Sequence, residues 1–205
     1  MIFKNSFLFL KKKARSLYLN SNTYNRKISL FSDSALSYKP SPSLLDCLIK
    51  YKKKRINIDN YTLDEIWIDR NLIEKDYDNL NSFFWLFSLD LKSSKKETQN
   101  IILKWIEENY NFNSKSWEID ILAKRIIAWI SNSKLSYEGG GVVYRNKFNN
   151  IIKKQINHLI YEIEKDEWVD DKMIGCAAII LAGLSFRDKE GYLKTGLNLL
   201  RKIIK

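Results

Sequence analysis

From Asp76 onward, apolar side chains recur at every third or fourth position, and the alternation of a half-buried strand is scarce. Only a helix gathers residues at that spacing onto one face, so most of this chain is expected to be α-helical. Helices are predicted at about 77–90, 96–109, 117–132, 145–164, 171–185 and 190–204. The punctuation agrees with these bounds. Ser94 and Glu97 stand in a capping-box spacing, Ser114 or Ser116 opens the helix before Trp117, and Asp170 with Asp171 places negative charge at the next helix start. The connections LKSS, NFNS, EKDEWVD and FRDKE are short, and helices joined by short connections pack antiparallel, as hairpins.

Composition narrows the class further. The 205 residues are 45% hydrophobic, 13% aromatic and 29% charged, which excludes a disordered tail and a collagen-like repeat. No run approaches the roughly 20 apolar residues of a membrane span. Cys47 and Cys176 stand far apart without a Cys-x-x-Cys spacing, His158 is the only histidine, and no carboxylates cluster. No metal site, redox motif or cofactor is therefore expected.

The net charge of +11 is entirely N-terminal. Residues 1–55 hold 13 Lys or Arg against Asp33 and Asp46, leaving 22 basic and 22 acidic residues in 56–205. A neutral body argues against nucleic-acid binding, so no nucleic-acid partner is expected. The opening MIFKNSFLFLKKKARSLYLN interleaves Phe3, Phe7, Phe9, Leu10, Leu17 and Leu19 with Lys4, Lys11, Lys12, Lys13 and Arg15. Its charge cluster follows a short apolar core rather than preceding a long one, which is not the order of a signal peptide and leaves a cytoplasmic location open. Two readings stand: a loosely docked leader, or a basic aromatic segment that lies on an anionic membrane surface or an acidic partner. The chain is thus divided into a leader and linker, 1–42, and a helical domain, 43–205.

Within that domain, Ser43 is expected to cap a helix over 44–51, and NIDNYTLDEIWID at 57–69 to form one or two short extended segments. Gly139, Gly140 and Gly141 are followed by Val142, Val143 and Tyr144 rather than the Lys and Ser or Thr of a phosphate-binding loop, so they read as a helix connector.

Three segments carry a resemblance: SFFWLFSLD at 82–90, WEIDILAKRIIAW at 117–129, and AAIILAGL at 177–184 with GLNLL at 196–200. In this order and spacing they resemble the N-terminal helical domain of the heparinase II/III-like proteins of bacteria. The resemblance covers about 57–205 and implies antiparallel helical hairpins forming part of an incomplete α/α toroid. It implies further a polysaccharide lyase that cleaves uronate-containing polysaccharide by β-elimination, an acidic polysaccharide as partner, and a location in the cell envelope or periplasm. The family's Asp-Gly-Gly-His phrase has no counterpart before Lys205, and none of its catalytic Asn or His, Tyr and His maps onto a position here. The expectation is that catalytic residues lie in sequence beyond Lys205 and that these 205 residues alone are inactive.

Carried over to particular residues, the resemblance offers Trp117, Arg125, Trp129 and Trp85 as sugar contacts, with aromatic faces for the ring and a guanidinium for the uronate. Each has a packing alternative: the tryptophans as core and Arg125 as the holder of a structural group. His158 reads as structural or exposed. The rival to the lyase is an α-helical solenoid serving as a binding scaffold, with the basic leader as its docking element.

Overall fold

The computed structural model describes residues 2–32, 34–37, 74–89, 95–187 and 191–204. Among them are nine α-helices, two short 3₁₀ turns and no strand: α1 Ile2–Leu19, α2 Asn22–Ile28, α3 Glu74–Asn81, a 3₁₀ turn Phe84–Ser88, α4 Lys95–Asn109, α5 Ile119–Ser131, α6 Ser133–Ser136, α7 Val142–Glu162, a 3₁₀ turn Ile163–Lys165, α8 Val169–Ser185 and α9 Tyr192–Ile203. The expected cap at Ser43, the capping box at Ser94 and the extended segments at 57–69 lie outside the described residues.

The centre is α5. Eleven of its thirteen residues are buried, including Leu122, Ile126, Trp129 and Ile130, so it is enclosed on all sides rather than along one stripe. Its most extensive neighbour is α8, which packs as extensively against α9. Two glycines allow that second contact: a Cβ on Gly183 would lie 2.4 Å from the backbone nitrogen of Leu193, and one on Gly196 2.7 Å from Ile180 Cγ1. Beside α5, the rings of Phe83, Trp105, Trp129 and Phe148 form a continuous cluster, with Phe83–Trp129 centroids 5.1 Å apart, Trp105–Trp129 5.5 Å and Trp129–Phe148 5.3 Å.

Two expectations are corrected. The helix predicted over 77–90 ends at Asn81, and Phe83 takes a left-handed φ of 56° before the 3₁₀ turn. Phe83, Phe84, Trp85 and Leu86 are all buried, and no surface α-helix can turn four successive side chains inward; the break lets them do so. At 113–116 the turn is held by Asn113 Oδ1, which accepts from the backbone nitrogens of Lys115 and Ser116, while the α5 N-cap is Glu118. Neither Ser114 nor Ser116 caps that helix. Asp170 and Asp171 do stand in the first turn of α8.

The larger departure is the leader. Residues 2–28 form α1 and α2, and Leu19, Tyr24, Ile28 and Leu36 join the same buried core as α5 and α7.

Candidate functional site

The segment 15–37 is fastened along α7 by polar contacts whose partners step down one face of that helix. Arg15 Nε donates to Glu162 Oε2 at 3.1 Å, and Arg15 Nη2 donates to the same oxygen. One turn back, Tyr24 Oη and His158 Nδ1 share a hydrogen bond at 2.8 Å, and the ring also hydrogen-bonds to the Trp117 backbone. Asn157 Nδ2 donates to the carbonyls of Ile28 and Leu30 at 2.9 and 3.1 Å, and Lys153 Nζ to that of Ser32 at 2.6 Å. Ser37 reaches α8, where its backbone nitrogen donates to the Ser185 carbonyl at 2.7 Å. These carbonyls belong to a segment without regular strand partners, and α7 satisfies them.

Burial holds the His158 pKa down at about 4, with Glu162 only partly offsetting it, and pushes the Tyr24 phenol well up. Neither group exchanges a proton near neutral pH, so the pair is a fastening and not an acid–base couple.

Above this strip, α1, the 112–120 turn, the end of α7 and the start of α8 enclose a cleft of about 540 Å³. Phe112, Trp117 and His158 form its apolar side, with Trp117 and His158 ring centroids 5.3 Å apart. Lys12, Arg15 and Lys165 face six carboxylates, those of Glu118, Asp120, Glu162, Asp166, Glu167 and Asp171. Lys124 pairs with Asp120 from outside the lining, which still leaves the cleft acidic. Burial raises the Asp171 pKa to about 6, with help from Asp120 and Asp166. For Glu162, burial alone would raise the carboxyl, but hydrogen bonds from Lys165 and Arg15 reverse this and hold it below the usual range. Trp168, 71% exposed, stands on the rim.

Three of the four sequence candidates lie elsewhere. Trp85, Trp129 and Arg125 are buried in the core, and of the four candidates Trp117 alone, itself 1% exposed, lines the cleft. Arg125 is completely buried and stacks 4.0 Å from the Trp105 ring centre. Its nitrogens donate to the carbonyls of Asn81 at 2.8 Å and Ser116 at 2.9 Å and to Gln155 Oε1 at 3.3 Å. Burial pulls its pKa well below that of a free guanidinium, and Tyr77 opposes the shift. Arg125 therefore pins α3 and the 113–116 turn to α5, and the packing alternative describes its surroundings and those of the three tryptophans. Glu162 and Tyr24 were missed by sequence reasoning; His158 and Glu162 stand four apart on one helix, but no local signal ties either to Arg15 or Tyr24.

Among the described residues, no His, Cys, Asp and Glu side chains gather so as to hold a metal ion, and no helix is long and apolar enough to cross a membrane. Cys176 is buried, and burial pushes its thiol up to about 11. No protein-family model matches the chain, and no curated protein or solved structure matches it either.

Proposed function

We propose that this chain is an α-helical scaffold that docks on an anionic membrane surface through α1. The carrying observation is how α1 is turned. Arg15, Ser16 and Leu19 face the body, whereas Phe9, Leu10 and Leu17 are 66%, 62% and 68% exposed. Leu10 and Leu17, two turns apart, share a face that also holds Ala14. A helix that folds by its polar side and leaves leucines in water has an unfilled apolar contact. Exposed Lys11 and Lys13 stand beside those leucines, and Lys12 lies on the cleft side of α1. Each lysine held near an anionic surface contributes about 1 kcal/mol, and the buried leucines add to it.

The test is vesicle flotation of the full chain. Binding is expected to phosphatidylglycerol vesicles and not to phosphatidylcholine alone, to weaken with salt, and to be lost in Leu10→Asp/Leu17→Asp. No binding, or binding indifferent to lipid charge and to the double substitution, would leave an acidic protein as the better partner for α1.

The toroid reading stands second. In it the chain is the N-terminal part of a heparinase II/III-like lyase acting on uronate-containing polysaccharide, with catalysis supplied from further sequence. Its support is residue order together with the helical architecture. The four sugar-contact candidates are buried, and an acidic cleft repels a uronate. Incubation with uronate polysaccharides and detection of unsaturated products by near-ultraviolet absorbance tests it directly.

A further inference from the structure

Resting on the docking reading, we propose that Arg15 and Glu162 form an openable latch: lipid phosphate competes with Glu162 for the Arg15 guanidinium, and α1 swings from the cleft about the turn at Asn20 and Ser21. Three observations carry it.

The first is asymmetry of access. Glu162 is almost fully buried, whereas the Arg15 side chain is 46% exposed, so an external anion can reach the cation without displacing the body. Guanidinium binds phosphate with the same two-nitrogen fork that it offers a carboxylate.

The second concerns what opening leaves behind. The two oxygens of Glu162 have separate cations: Oε2 takes Arg15, and Oε1 accepts from Lys165 Nζ at 2.7 Å. Releasing Arg15 therefore does not strand a lone buried carboxylate, which would be the costly outcome. Lys165 remains, and the freed oxygen faces a cleft roomy enough for water.

The third is the position of the break. Ser21 caps α2 by accepting from the backbone nitrogen of Tyr24 at 3.1 Å, and the Tyr24–His158 pair beyond it is buried. α2 is thereby fixed to α7 independently of α1. Asn20 and Ser21 form a turn and a bend between the two helices, so the hinge falls where α1 ends. Opening α1 takes Leu19 out of the core and breaks the Tyr18–Tyr24 ring contact, while Tyr24 and Ile28 stay seated.

Glu162→Gln in the full chain decides between a latch and a clamp that merely orients α1. A latch predicts faster tryptic cleavage after Arg15 without lipid, and phosphatidylglycerol binding about threefold to tenfold tighter, because the competitor for Arg15 has been weakened. Arg15→Lys keeps the charge but loses the fork for carboxylate and phosphate alike, so it is expected to speed cleavage after residue 15 without tightening lipid binding, and it guards against misfolding of the Glu162 variant. Weaker or unchanged lipid binding by Glu162→Gln, with the wild type binding normally, would overturn the latch while leaving the docking reading intact. Failure of the wild type to bind would instead remove the docking reading and the lipid competition together.

Discussion

α1 and α2 are neighbours with similar ingredients, aromatic or aliphatic residues among lysines and arginines, and they do opposite things. α2 buries Tyr24 and Ile28 completely. α1 directs Leu10 and Leu17 to solvent and meets the body through Arg15 and Leu19. Neither composition nor charge separates them. The difference lies in what α7 offers opposite each: His158 and Asn157 across from α2, and a half-paired carboxylate across from α1. A buried neutral hydrogen bond between apolar walls fixes a helix permanently, whereas an ion pair at an open cleft holds it reversibly.

The scale of the fixed part is set by Arg125. Replacing it with Met leaves three buried acceptors unpaired, and we expect a loss of about 3–5 kcal/mol in urea unfolding. If α2 belongs to that core, Ile28→Ala should cost about 3 kcal/mol. A cost near zero would return residues 20–37 to the status of a detached leader.

Acid tests the same junction. The unfolded chain takes up a proton on His158 below pH 6.5, while the folded chain refuses it until about 4. Stability from this group is complete above 6.5 and falls as pH drops through that window, by up to about 3 kcal/mol. Asp171, whose folded pKa is raised to about 6, binds its proton earlier when folded and so acts in the opposite direction over 6 to 3.8. Comparing unfolding of the wild type and His158→Gln across pH 7 to 4 isolates the histidine: the wild type should lose more stability on acidification than the variant.

Tyr24→Phe keeps the ring and removes only the hydroxyl bonded to His158 Nδ1, with an expected cost of about 1–2 kcal/mol in the same unfolding assay. Leu17→Ser in α1 should change stability by less than about 0.5 kcal/mol, since the side chain is already in water. The gap between Ile28 and Leu17 sharpens the comparison most simply.

The helices of the body were legible because their signal is local. The three-and-four spacing in 96–109 and 171–185 and the acids at 170 and 171 are read within one segment, and α4 and α8 stand where that spacing puts them. The leader was not legible as part of the fold, because its burial depends on acceptors and donors more than a hundred residues away: Arg15 with Glu162, Tyr24 with His158. Arg125 stayed open between a sugar contact and the holder of a structural group for a related reason: only the tertiary arrangement reveals the carbonyls of Asn81 and Ser116 that replace its water. The break at Phe83 was likewise invisible to periodicity, since five apolar residues in a row, 83–87, fit a helix segment and a 3₁₀ turn equally well.

Hydrogen exchange on the full chain, with and without phosphatidylglycerol vesicles, tests the contrast between the two helices most directly. The expected result is α2 amides protected to nearly the level of α5, α1 amides exchanging much faster in solution, and vesicles slowing α1 alone. Equal, fast exchange of α1 and α2, or an α1 that vesicles leave unchanged, would contradict it.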